Sequence, residues 1–255
     1  TSFDLAKGLA PFDTHQLKTH APNEHIAIIS DNTILARCSM WWENTPTLDT
    51  DTVGCIGHFD ASDAASAHAL LEEALSYLKT HGCTKAIAPM DGNTWRRYRL
   101  LTERGTLAPF FLELDNPDEY PNYFQESGFV PLAEYTSSIN DQLIPCDFKT
   151  PEWRQNLEGS GVRIRSINPD RYKEELKGIY AASLLCFADN YLYTPISEEA
   201  FVAQYQSLET ILHPQLVLIA ERDPEGIIGF VFGIPNLAQA KRGEAIDTVI
   251  VKTLG

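Results

Sequence analysis

The stretch from Leu216 to Gly255 constrains this chain more than any other. Leu216–Ala220 is a short run of Leu, Val, Ile and Ala, which suits a buried strand. Asp223-Pro224-Glu225-Gly226 reads as a turn because proline pre-sets φ and glycine tolerates positive φ. Ile227–Ile234 returns as a second strand, so the pair is a hairpin. After a polar loop, Asp247–Leu254 supplies a third strand, rich in the β-branched residues Thr248, Val249, Ile250, Val251 and Thr253. The same order occurs near the start. His25–Ser30 and Thr33–Trp42 are strands around an Asp31-Asn32 turn, and a Thr-rich loop follows. The next strand, Asp51–Phe59, opens with Asp51-Thr52-Val53, as the last one opens with Asp247-Thr248-Val249. Matching element type, order and loop position predict two copies of one fold.

Helices alternate with these strands. A helix follows Phe59, capped by Ser62 or Asp63, with Ala67, Leu70, Leu71, Ala74, Leu75 and Leu78 at helical spacing and His81-Gly82 at its end. Thr84–Pro89 reads as a strand and Asn93–Arg104 as a basic amphipathic helix. Pro109–Leu114 reads as a strand, Asp118–Ser127 as a short helix and Gly128–Ile139 as one or two strands. Pro145, Pro151, Gly159 and Gly161 interrupt the periodicity and mark a linker. Beyond it come a strand at Val162–Ser166 and a helix entered at Pro169, carrying Leu176, Ile179, Tyr180, Leu184 and Phe187. Ser197 caps a further helix bearing Phe201, Tyr205, Leu208 and Leu212. The expectation is an α/β fold of the mixed α+β kind: a domain over 1–145, a linker over 146–160 and a second, incomplete domain over 161–255.

Charge narrows the partners. A formal charge of −15 and a pI near 4.8 argue against a nucleic-acid partner, since phosphate binding needs a basic patch. Only Arg96-Arg97-Tyr98-Arg99 is densely basic. An acidic surface repels anionic membranes and favours an amine over an acidic peptide. No apolar run reaches the roughly 18 residues of a membrane span, and Thr1–Pro11 lacks a signal-peptide pattern, so a cytoplasmic location is expected. Cys38, Cys55, Cys83, Cys146 and Cys186 form no C-x-x-C pair and have no histidine at ligand spacing, so no metal is expected. Cys38, Cys55, Cys83 and Cys186 lie among apolar residues, as small core hydrophobes do.

Asp51–Phe59, the Ser62–Gly82 helix, Lys85–Met90 and the Phe124–Phe129 ending (compare Y-x-x-x-G-F) together resemble tandem GCN5-related N-acetyltransferase (GNAT) domains. Leu216–Leu254 resembles that family's hairpin and central strand, and Ala88–Thr94 the degenerate first domain of its two-domain members. The resemblance implies acetyl-CoA beside the central strand, its pyrophosphate on a Gly-rich loop at a helix N-terminus, and direct attack by an amine of a small molecule or peptide. In the first copy the loop Asp60-Ala61-Ser62-Asp63-Ala64 lacks glycine and carries two carboxylates, and Phe124 replaces the thiol-side tyrosine, which predicts a degenerate domain. In the second, the chain stops just after the central strand. That predicts either truncation or a homodimer through the exposed C-terminal strand edge.

The site candidates follow. His58 beside the strand end and Asp247 are candidate bases, each competing with a plain structural role. Backbone groups of Thr253, Leu254 and Gly255 are the expected acetyl-CoA contacts. Asp91, Asn93 and Glu113 flank strand ends and could line an acceptor pocket, although Asn93 also suits a helix cap. Tyr191 and Tyr193 lie where the family's acceptor-side helices sit, and serve core packing or substrate contact equally well. A non-catalytic scaffold or ligand-binding module is the competing function.

Overall fold

The computed structural model describes residues 9–143 and 150–255. The chain divides into two compact units. One holds the described residues up to Leu132 together with Tyr191–Thr194, and the other the described residues of Ala133–Asn190 and Pro195–Gly255. Each contains a four-stranded sheet, so the fold class is mixed α/β. No helix among the described residues is long and apolar enough to cross a membrane.

The first unit opens with a short helix, α1 (His15–His20), and the hairpin β1 (Glu24–Ser30) and β2 (Thr33–Trp41). Asp31 and Asn32 both take positive φ, 46° and 62°, as a two-residue turn matched to strand twist requires. β3 (Val53–Ala61) lies antiparallel to β2. α2 (Ala64–Thr80) then crosses over, so that β4 (Lys85–Ile87) runs parallel to β3. Asp63 starts α2 by accepting the Ser66 amide at 2.8 Å, and Gly82 at φ +83° ends it. The buried face of α2 (Ala67, Leu70, Leu71, Ala74, Leu78) packs with Ala36, Cys38, Met40 and Ile56 of the sheet and with Tyr120, Tyr123 and Phe124 of α3 (Tyr120–Glu126).

The second unit has α4 (Thr150–Gly159), then the wholly antiparallel sheet β5 (Arg163–Ser166), β6 (Val217–Arg222), β7 (Gly226–Pro235) and β8 (Val249–Leu254). α5 (Tyr172–Cys186) and α6 (Glu198–Gln206) come between β5 and β6, and a short α7 (Leu237–Lys241) between β7 and β8. Gly178 lets α5 approach β7, since a Cβ there would lie 2.6 Å from Ile227 Cδ1. Glu175 on α5 is buried and is satisfied by both terminal nitrogens of Arg165, at 2.8 and 2.9 Å, whose Nε reaches Glu221. β3 and β8 both begin at the Val of Asp-Thr-Val, each on the second strand of a hairpin.

Several expectations change. Asn93–Arg104 is not a helix: Arg99 takes φ +76°, which no right-handed helix contains, and the Asn93 side chain accepts the Trp95 amide in a local turn. Pro109–Leu114 and Gly128–Ile139 join no sheet. Part of the expected linker is α4, while the 145/146 boundary and Cys146 lie outside the described residues. Cys38 and Cys55 are fully buried, where loss of water pushes both thiols up to about 12, but Cys186 is exposed. Replacing Asp63 by Ala leaves the first turn of α2 without its acceptor; urea unfolding should show a loss of about 1 kcal/mol.

Candidate functional site

Two irregularities of the first sheet assemble a buried polar cluster. A bulge between Ile28 and Ile29 shifts the β1–β2 register, setting His25 opposite Ser39. A second, between Arg37 and Ser39, sets Ser39 opposite Gly57 and leaves His58 and Phe59 on β3 against the single residue Cys38. His58 takes φ +47°, a conformation that costs a non-glycine residue energy and re-aims its ring. Ser39 Oγ then lies 2.7 Å from His25 Nδ1 and 2.8 Å from His58 Nδ1. His58 Nε2 lies 2.8 Å from Nδ1 of His20, the last residue of α1.

Asp91, past the end of β4, closes the cluster. Its Oδ1 accepts the His58 amide at 2.6 Å, and its Oδ2 is 3.7 Å from His58 Nε2. Gly57 makes this approach feasible, because a Cβ there would lie 2.4 Å from both Asp91 Oδ1 and the Met90 carbonyl. The carbonyl of His20 is held by Trp41 Nε1 and by Arg96, each at 2.9 Å, and Arg96 also donates to the Asp91 carbonyl. Phe12 stacks on His25, and Trp41 meets the His58 ring edge-on.

The four side chains His25, Ser39, His58 and His20 can share their protons in two ways. In one, His20 Nδ1–H donates to His58, His58 Nδ1–H to Ser39, and the Ser39 hydroxyl to His25. In the other every donor becomes the acceptor. Exchange between them moves protons the length of the chain without charging any ring for long. Burial lowers His58 to about 3, with the cationic potentials of His20, His25, Arg96 and Arg37 adding to it. Burial, then Arg96, lowers His20 to about 4; burial, then Arg37, lowers His25. Asp91 moves the other way, to about 6, because burial outweighs its bond from the His58 amide and the nearby Arg97 and Arg96. Near neutrality the site is therefore three uncharged imidazoles beside one carboxylate. His58 is too weak a base there to hold a proton for long.

The sequence candidates fall into different places. His58 and Asp91 are neighbours in this cluster. Asn93 is buried beside it and caps a turn, whereas Glu113 lies in a separate turn where its carboxylate accepts the Leu114 amide. Tyr191 and Tyr193 belong to the first unit, not with the helices of the second copy. The reason is apolar: Leu192 is buried with Trp41, Val53, Cys55 and Met90, and Trp95 donates to the Thr194 carbonyl at 2.9 Å. Asp247 is exposed in the second unit, accepting from Gln239 and Thr248. Gly255 exchanges both backbone bonds with Phe230, so the preceding residue, Leu254, turns its N–H and C=O away from β7 toward the edge of the sheet. Thr253 faces Phe232 beside a bulge.

The two carboxylates expected to oppose an anion are both engaged. Asp60 accepts from Arg37 at 2.7 Å, Tyr120 at 2.5 Å and the Ala10 amide, and Asp63 caps α2. His20, His25, Ser39 and Trp41 escape a linear reading, and Arg96 stands out there only as part of a basic run, because no motif spacing joins them. His20 Nδ1, His58 Nε2 and an Asp91 carboxylate oxygen nonetheless lie within 4.8 Å of one another, although no metal ligands are expected from the sequence.

Gly57→Ala should push residues 90–91 off β3 and cost about 1–3 kcal/mol in urea unfolding. The pH dependence has a defined sign. Between about pH 4 and 6.5 the unfolded chain binds protons on His20 and His58 that the folded chain refuses, and His25 shifts in the same direction, so their contribution is complete above 6.5 and lost as pH falls. Asp91 opposes this, binding its proton more tightly when folded between 3.8 and about 6. The histidines outnumber it, so urea midpoints measured with a chelator present should fall on acidification from pH 6.5 to 4.5. A rise would contradict the buried, uncharged rings.

No family model matches the chain. Bacterial ceramide synthase from Caulobacter vibrioides is 25% identical over 190 residues, covering 72% of this chain and 49% of that protein. Protein YghO from Escherichia coli K12 is 23% identical over 193 residues, covering 72% of this chain and 48% of its own length. The chain thus spans about half the length of the curated relatives it matches.

Proposed function

We propose that this chain is an acetyltransferase-like protein of the GNAT type, which passes an acyl group from a coenzyme A thioester to an amine by direct attack. The amine nitrogen bonds to the thioester carbonyl carbon, the carbon–sulfur bond breaks, and the proton lost by nitrogen ends on the coenzyme A thiol. Positioning and amine deprotonation supply the rate. The observation that carries this reading is the similarity, over 72% of the chain, to a protein named bacterial ceramide synthase. A ceramide is an amide of a long-chain amino alcohol, so the same bond is made, and an acyl group longer than acetyl enters the candidate list. The antiparallel hairpin, central strand, crossover helix and parallel strand of the first unit support it too, being the order on which the acetyltransferase resemblance rests.

The cofactor is assigned to the second unit. In the first, the amide beside the β3 bulge is held by Asp91 and that of Ser66 by Asp63, the places where a thioester and a pyrophosphate would otherwise dock. In the second, the outward backbone groups of Leu254, flanked by Thr253 and Gly255, are offered to the pantetheine arm. Asp247 is exposed and kept ionised by its bonds from Gln239 and Thr248, and its charge would draw a cationic amine toward this unit.

Incubating the chain with palmitoyl-CoA or acetyl-CoA and sphinganine tests this, with the product read by mass spectrometry. The expected outcome is one amide formed per coenzyme A released, with one thioester preferred. No amide from either thioester, in the presence of ligand-detected binding, would reassign the chain to a non-catalytic binding protein.

A further inference from the structure

We propose that His20 Nδ1, His58 Nε2 and the Oδ2 of Asp91 hold one divalent transition ion of the zinc type. One ligand atom from each residue lies within 4.8 Å of the others, His58 Nε2 being 2.8 Å from His20 Nδ1 and 3.7 Å from the Oδ2, which receives no hydrogen bond among the described residues. Its side chain is only 10% exposed. Two imidazole nitrogens converge beside this oxygen, and at 2.8 Å from each other they share a single hydrogen bond that leaves the carboxylate without a donor from either ring. A cation between the three replaces that one bond with three contacts and gives the carboxylate a partner. Two nitrogens and one oxygen suit zinc and its neighbours rather than calcium or magnesium.

The surroundings are those a bound ion needs. A coordinating histidine is ordinarily fixed through its other ring nitrogen. Here His58 Nδ1 meets Ser39, which is wholly buried and is held in turn by His25. Coordination through His58 Nε2 selects one of the two proton arrangements: Nδ1–H donates to Ser39, and the hydroxyl to His25. His20 then carries its proton on Nε2. Asp91 is oriented by the His58 amide on its other oxygen, and the backbone of His20 is pinned by Trp41 and Arg96. Ligands at zinc bond lengths stand about 3.3 Å apart. His20 and His58 must therefore part slightly from 2.8 Å, and His58 and Asp91 close slightly from 3.7 Å. Three protein ligands leave a fourth position open for water or an anion.

The test is calorimetric titration of zinc chloride into the chelator-treated 255-residue chain. One ion per chain should bind with a Kd of about 1 µM or tighter. His20→Ala should weaken binding at least about 10-fold, Ser39→Ala about 10- to 100-fold, and the exposed His15→Ala not at all. X-ray absorption of the zinc-loaded wild-type chain guards against variants that misfold: two imidazoles and a carboxylate oxygen are expected. No saturable binding, wild-type affinity in His20→Ala, or sulfur in the ligand shell would each overturn the site.

Discussion

The bond from the His58 amide to the Asp91 carboxylate is the interaction on which the first unit's site depends. A bulge leaves its strand with an amide that the ladder does not satisfy, and a buried amide must find an acceptor. Asp91 supplies it from the segment after β4, and glycine at 57 allows that segment to lie against β3. With the backbone so fixed, the His58 ring is committed to the space between Ser39 and His20. The cost is a non-glycine residue at positive φ and a carboxylate stripped of most of its water. Strain and desolvation of this kind persist where the surrounding packing overdetermines them, and they concentrate at functional sites.

The same packing engages both carboxylates at the β3–α2 junction. Asp63 spends its carboxylate on the start of α2, and Asp60 is locked between Arg37 and Tyr120 inside the unit. What the first unit offers instead is a cluster of neutral nitrogens around one acid. The second unit offers an outward strand edge at Leu254 and a paired Arg165–Glu175–Glu221 group that ties α5 to the sheet. Two units with similar hairpins thus present different chemistry.

Much of the fold was legible because its signals are local. The Asp31-Asn32 turn, the apolar spacing of α2, the Ser197 cap of α6 and the closing hairpin all announce themselves within a few residues. The cluster was not. Around the Asp31-Asn32 turn a regular hairpin would place His25 opposite Cys38; the bulge at Ile28/Ile29 moves it to Ser39, and side-chain alternation makes that one-residue step decisive. The second bulge does the same for His58. Arg96, Arg97 and Arg99 sit at a spacing compatible with a helix, yet Arg96 is drawn to the carbonyls of Thr19, His20 and Asp91, which no local pattern records. Likewise nothing in Tyr191–Thr194 signals that Leu192 is buried beside Trp41 and Met90.

Nitrogen-15 and ring-proton NMR of the histidines, followed from pH 7.5 to 4.5 in metal-free buffer, tests the central claim most directly. The buried chain of hydrogen bonds predicts that His58 and His20 keep the shifts of neutral rings to below about pH 5, His58 to the lower value. Either ring becoming an imidazolium near pH 6.5 would mean that it is solvated, and that the cluster is not closed.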